Sequence, residues 1–136
     1  MKRDRDGLPV VGIRSKELGV RVPPDVHADV DLDETNSVRL NRRGMSVTLH
    51  RRFLKPHLVP KRLKQWHPGA AGADSLSIYR YGEGSFEDSA ITENLALAVT
   101  SAIHGNVVPA TLMHLDDFLS HIADTRDKWT IEEPTG

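Results

Sequence analysis

Three histidines lie among the cations of a segment that contains no acidic residue. His50, His57 and His67 fall within residues 35–73, which hold nine Lys and Arg and neither Asp nor Glu. Histidine titrates near neutral pH, so a histidine beside a bound phosphate can act as a general acid or base. The pattern indicates ribonuclease-like chemistry. The alternative is that all three are polar residues of a surface loop.

The cations of this segment, the basic block, have two interpretations. As one surface they would attract phosphate, a dinucleotide, RNA or an acidic partner protein. The flanking residues 1–34 and 74–136 are acidic, however, so the block can also pair with acids of its own chain. Its members are Arg39, Arg42, Arg43, Arg51, Arg52, Lys55, Lys61, Arg62 and Lys64.

Two further polar positions sit on or beside predicted strands. In residues 76–81 strict alternation places Arg80 on the face opposite Tyr79 and Tyr81. An Arg that faces a cleft can clamp a phosphate or carboxylate with two hydrogen bonds, and the alternative is an exposed strand Arg. His104 follows a predicted buried strand at a turn, where it points into a cleft or caps the turn.

A row of His114, Asp117, His121 and Asp124 follows one line of a predicted C-terminal helix. We interpret it as the solvated face opposite the apolar stripe, because structural metal ligands usually converge from more than one element. No metal site is assigned. The chain contains no Cys, which excludes thiol nucleophiles and disulfides.

The elements that must position these residues predict an α+β fold. An apolar stripe from Leu115 to Trp129 predicts a helix that covers the sheet. Residues 50–73 contain three Pro and two Gly, which predicts a long basic loop. Alternating or buried patterns predict the strands, at residues 26–33, 37–40, 45–49, 76–81 and 95–100, with a turn entering a short strand at 104–110.

The 136 residues predict a single domain. We expect residues 1–16 to form a flexible arm, residues 17–131 the globular core and residues 132–136 a disordered tail. No apolar run is long enough for a membrane helix, and no signal peptide is recognisable at the start. We therefore expect a cytoplasmic folded domain, or one delivered to another cell without a signal peptide, with no membrane partner.

Four short motifs resemble a known family in their order along the chain. They are Gly44-Met45-Ser46-Val47, Ile78-Tyr79-Arg80, His104-Gly105-Asn106-Val107-Val108-Pro109-Ala110 and Met113-His114-Leu115-Asp116-Asp117-Phe118. This order is similar to small bacterial toxin domains related to a type VI secretion effector with an ADP-ribosyltransferase-like fold. The resemblance implies a split antiparallel or mixed sheet, a cleft for NAD or a related nucleotide, and a cognate immunity protein as partner.

The resemblance also assigns site residues. Ser46 and His104 match its motifs as catalytic positions, and Glu93 is the one nearby Glu in the sequence for the acid that such enzymes use. Tyr79 and Arg80 match as cofactor-binding positions. Arg39 and Arg51 of the basic block would help to hold the pyrophosphate.

Three functions remain open on the sequence alone. The first is a toxin domain with an ADP-ribosyltransferase-like fold that binds NAD or a related nucleotide in a cleft, with ADP-ribosyl transfer or another NAD-dependent modification left open as its activity. The second is a ribonuclease toxin in which His50, His57 or His104 transfers protons and the basic block holds RNA. No aromatic-rich ribonucleoprotein motif is present, which makes RNA the less favoured partner. The third is a non-enzymatic interaction module that docks on an acidic protein.

Overall fold

The computed structural model describes residues 1–82 and 85–135 and shows an α+β fold. Gly136 of the predicted tail lies outside the described residues. In chain order the elements are β1 (Met45–Thr48), β2 (Tyr79–Tyr81), β3 (Ser89–Ala90), β4 (Leu95–Val99), β5 (His104–Pro109), α1 (Leu115–Ala123) and β6 (Trp129–Ile131). The strands β1, β5, β4 and β3 form an antiparallel sheet in that spatial order, and β2 pairs with β6 in a second antiparallel sheet.

One face of the four-stranded sheet carries the main core. Met45, Leu95 and Val107 are buried there and belong to one cluster with Phe118 and Ile122 of α1. Leu115 and Leu119 of the predicted stripe pack against the same cluster. The predicted C-terminal amphipathic helix and its apolar face are therefore confirmed.

The predicted end of that helix is wrong. The α1 helix stops at Ala123, a short 3-10 helix follows at Arg126–Lys128, and Trp129 begins β6. Trp129 lies opposite Tyr81, with ring centroids 5.1 Å apart, and its indole donates to Thr125 Oγ1. As part of β6, the Trp129 ring is still buried, and the backbone of β6 also pairs with β2. Without β6, the backbone N–H and C=O groups of β2 would lack these hydrogen-bond partners.

The strands predicted at residues 26–33 and 37–40 are also wrong. This region consists of turns and bends with an isolated bridge between Leu32 and Val38. Its Asp side chains accept backbone hydrogen bonds locally: Asp29 from Arg21 N–H, and Asp33 from the N–H groups of Thr35 and Ser37. Such bonds compete with a strand ladder for the same donors.

Two other strand boundaries differ from the prediction. The pattern at residues 76–81 forms a strand at Tyr79–Tyr81 alone, and the predicted turn at His104 is already part of β5. The β5 strand is continuous because β1 pairs with it on one side and β4 on the other.

The segment of residues 1–16, predicted to be a flexible arm, lies against the rest of the chain. Pro9 is fully buried, and Leu18 N–H donates to Val10 O at 2.7 Å. Arg126 fastens the segment from the other end of the sequence. Its guanidinium donates to Pro9 O at 2.9 Å and to both oxygens of Asp6 at 2.8 Å.

Replacing Arg126 with Ala should therefore loosen this segment. We expect hydrogen-exchange protection of the Val10 and Leu18 amides to fall, since their strand-like contacts lose the group that holds Pro9 and Asp6 in place. Lys128→Ala, in the same 3-10 helix, is the matched control and should leave protection unchanged. Equal protection in Arg126→Ala and the wild type would contradict the assigned role.

The same contact predicts a pH dependence. The hydrogen bond from Arg126 is the largest cause that holds the pKa of Asp6 below its ordinary value. A carboxylate with a lowered pKa stabilises the fold above its ordinary pKa, and that contribution is lost as the pH falls through the lowered value. Protection of Val10 should thus decrease on acidification in the wild type and change less in Arg126→Ala.

Candidate functional site

Ser46 and His104 lie on the face of the four-stranded sheet that points away from the main core. In the register of β1 and β5, Ser46 is opposite Asn106 and Thr48 is opposite His104. Directly paired residues share a face, so these four polar side chains lie on the side opposite Met45 and Val107. The structure thus brings two predicted catalytic residues, Ser46 and His104, into diagonal positions on neighbouring strands.

Arg42 covers the Asn106 end of this polar face. Its carbonyl oxygen accepts from Asn106 Nδ2 at 2.9 Å, and its guanidinium reaches Val99 O and both oxygens of Asp88. The hydrogen bond from Arg42 lowers the pKa of Asp88, so the pair stays charged. Ser46, directly opposite Asn106, is exposed, and Thr48 and His104 form the other end of the shared face.

The segment that follows β1 begins at the end of the face where Thr48 pairs with His104. The sequence predicts a long loop at residues 50–73. The structure shows that this loop contains 3-10 helices at Arg51–Phe53, Pro56–Leu58 and Lys61–Leu63. Val59, Leu63 and Ala70 turn inward and form a second small core with Ile78. Because its apolar residues have their own core, the segment presents its cations outward on a backbone fixed by bonds such as Lys61 N–H to Gly72 O.

Two of the histidines lie beside Arg51. The charges of Arg51 and His50 both act on His67, and burial, the largest cause, lowers the pKa of His67. His67 Nε2 is buried without a hydrogen-bond partner among the described residues. His50 Nδ1 accepts from Arg52 N–H at 3.1 Å, which fixes its ring. His50 and His67 thus lie close enough to Arg51 for its positive charge to act in the same small region as both imidazoles.

The third histidine of the basic block, His57, is a surface residue. It is exposed in the next 3-10 helix, Pro56–Leu58. The three histidines of the basic block thus divide into a pair beside Arg51 and a separate surface residue.

Eight of the nine cations of the basic block form two groups, according to whether they have an ion-pair partner. Arg42, Arg43 and Arg62 form ion pairs with Asp88, Asp31 and Glu133, so part of the block is neutralised by its own chain. Within residues 1–82 and 85–135, no ion pair involves the second group, which we call the basic surface: Arg51, Arg52, Lys55, Lys61 and Lys64.

The predicted cofactor-binding residues Tyr79 and Arg80 belong to the other sheet. The Tyr79 hydroxyl donates to Gly7 O at 2.9 Å, and burial raises its pKa. Arg80 pairs with Glu132 at 3.3 Å. Arg39 is exposed and its N–H donates to Asp31 O. These contacts give Tyr79 and Arg80 structural roles and do not gather them with Ser46 and His104.

Glu93 sits at the far end of the four-stranded sheet. It precedes β4, whose first residue, Leu95, pairs with Pro109. Pro109 is the last residue of β5, whereas His104 is the first. Pro109 is five positions along β5 from His104, which is about 17 Å at the usual rise. Glu93 instead lines a cavity of about 250 Å³ with Thr92, Asn94, His121, Asp124 and Lys128.

The predicted row on α1 is divided between two places. His114 caps the helix by accepting from Asp116 N–H at 3.2 Å, whereas His121 and Asp124 line the cavity beside Glu93. The described residues contain no group of three His, Asp or Glu arranged to hold a metal ion. The sequence offered no signal for the meeting of Glu93 with His121, because it depends on how α1 lies against the loop before β4.

Comparison with protein-family models, curated proteins and solved structures finds no match to this chain. In the part of the chain that the structure describes, no helix is long and apolar enough to cross a membrane.

Proposed function

We propose that this chain is an effector-type domain with an ADP-ribosyltransferase-like fold that binds NAD or a related nucleotide beside His104. The observation that supports it is the register of β1 and β5, which sets Ser46 and His104 on one polar face. At the end of that face where Thr48 pairs with His104, the chain continues to His50 and Arg51, two and three positions after Thr48.

Each residue has a role that its chemistry permits. The guanidinium of Arg51 would bind the pyrophosphate, and His50 would add a second donor to phosphate through Nε2. His104 would position the ribose, with the Ser46 hydroxyl as a neighbouring donor or acceptor. A cognate partner protein that neutralised the domain would have to cover the His104 end of this face.

The proposal covers binding and does not extend to ADP-ribosyl transfer. Transferase chemistry would need an acid near the nucleotide, and Glu93 lies at the other end of β5. Tyr79 and Arg80 are likewise left out of the proposed site, because their contacts are with Gly7 and Glu132.

A titration with NAD tests the proposal. A ligand that binds the native state alone stabilises it by about 2.7 kcal/mol at a hundred times its Kd, which raises the Tm by several degrees. We expect a Tm increase and a calorimetric binding signal in the wild type, both reduced in His104→Ala and Arg51→Ala. No response at roughly millimolar NAD would refute the proposal, since physiological cofactor affinities are tighter than that.

Arg80→Ala is the matched control for Arg51→Ala. Both substitutions remove an Arg, and the structure assigns Arg80 to an ion pair with Glu132 on the other sheet. NAD should raise the Tm of Arg80→Ala as much as that of the wild type. If binding is lost in Arg80→Ala and kept in Arg51→Ala, the nucleotide site is at the second sheet, and the location proposed here is wrong.

A further inference from the structure

One tryptophan of the chain is exposed in the same segment as the lysines of the basic surface. Trp66 is 38% exposed and lies two residues after Lys64, whereas Trp129 is 8% exposed and bonded to Thr125. Among residues 1–82 and 85–135 the Trp66 indole N–H has no hydrogen-bond partner. An exposed indole close in the sequence to two exposed lysines can offer a ligand both an aromatic face and positive charge.

The backbone around Trp66 is held in place. Trp66 N–H donates to Leu63 O at 3.0 Å, and Leu63 is buried in the second small core. Pro60 bridges to Gly72, which closes the segment into a compact unit. The indole and the ammonium groups of Lys61 and Lys64 are therefore presented by an ordered scaffold, which lowers the entropy that a ligand must remove on binding.

From this arrangement we infer that the basic surface binds single-stranded nucleic acid, with Trp66 stacking on a base and Lys55, Lys61 and Lys64 contacting phosphates. Single-stranded binding sites combine a positive track for the backbone with aromatic rings for the bases. The platform is a set of 3-10 turns and not a sheet, so the absence of a ribonucleoprotein motif does not bear on it. The inference does not rest on the proposed NAD site.

An acidic protein is the competing occupant of a cationic surface, and the indole decides between the two. Carboxylates would engage the lysines but offer no flat ring to stack on Trp66. Every nucleic-acid base has such a ring, and stacking on an aromatic side chain contributes about 1–3 kcal/mol per base.

Tryptophan fluorescence provides the test. The chain has two Trp, and Trp66→Phe leaves buried Trp129 as the sole emitter. Oligo-uridine of about 12 nucleotides, within the usual span of single-stranded sites, should quench the wild-type emission at low salt. The quenching should vanish in Trp66→Phe, and in Trp66→Ala, which removes the stacking ring, anisotropy of labelled oligo-uridine should show affinity lower by roughly fivefold or more.

Charge variants complete the test. Lys61→Glu with Lys64→Glu should weaken oligo-uridine binding by roughly tenfold or more, and binding should weaken as salt is raised. Arg5→Glu changes an exposed cation outside the surface and should have little effect. Melting curves establish that each variant is folded. His104→Ala should bind oligo-uridine normally, which separates this inference from the NAD site.

Two results would overturn the inference. One is oligo-uridine binding that is absent at low salt or insensitive to both Trp66→Ala and the lysine reversals. The other is poly-glutamate that binds as tightly as oligo-uridine and changes Trp66 emission equally, because the surface would then be a docking site for acidic protein.

Discussion

Replacing Phe118 with Ala should lower the free energy of unfolding by about 3–5 kcal/mol, the range for buried Phe. Phe118 is 0% exposed and lies at the centre of the main core, where α1 meets the four-stranded sheet. Without the ring, the core loses the free energy gained by transferring it out of water. The substitution also leaves a cavity that the strands cannot fill. Small domains have about 5–15 kcal/mol in total, so the variant would be marginal.

Urea unfolding followed by circular dichroism measures this change, with a lower midpoint and an unchanged slope as the expected result. Phe53→Ala is the matched control, because Phe53 is half-buried and its ring is covered by the Arg52 guanidinium at 4.8 Å. We expect Phe53→Ala to lower the free energy of unfolding by much less than Phe118→Ala does. A Phe118→Ala loss below about 1.5 kcal/mol would mean that this ring is not central to the core.

Replacing Gly44 with Ala should cost about 3 kcal/mol, the upper part of the range for overpacking. Gly44 is buried immediately before β1, and an added Cβ would collide with the carbonyl oxygen of Val107. That oxygen belongs to the backbone of β5, so it cannot move aside as a flexible side chain would. The two strands would have to separate where Met45 pairs with Val107.

Gly69→Ala is the matched control for the same substitution. A Cβ there would meet Pro56 Cγ at 3.7 Å, an ordinary contact. Where the backbone suits Ala, Gly→Ala stabilises by about 0.4–1 kcal/mol through the unfolded chain. The sheet should tolerate Gly69→Ala and not Gly44→Ala, and NAD binding should weaken in Gly44→Ala alone because Ser46 is displaced. Similar stabilities for the two variants would contradict the close approach of β1 and β5.

Local sequence patterns predicted several elements because their signals are short-range. The apolar spacing from Leu115 to Ile122 is sufficient for α1, and the alternation at residues 45–49 and the apolar run at 95–100 correspond to β1 and β4. The same patterns failed where Asp side chains supply alternative acceptors, as at Asp29 and Asp33, and where Trp129 finds a better partner in Tyr81.

The candidate site could be predicted only in part for the same reason. Ser46 and His104 are identifiable as polar residues at predicted strands, but their placement on one face depends on the register of two strands 58 residues apart. Tyr79 and Arg80 are likewise polar residues of a predicted strand. Their contacts with Gly7 and Glu132, however, assign them to the second sheet.

The sequence by itself determined the α+β class, the C-terminal helix and the acid-free basic block. Tertiary structure alone decided which cations are neutralised. Arg42 and Asp88 are 46 residues apart, and Arg62 and Glu133 are 71 apart. Charge composition is additive along a chain, whereas an ion pair requires two side chains within a few ångströms, and only folding sets that distance.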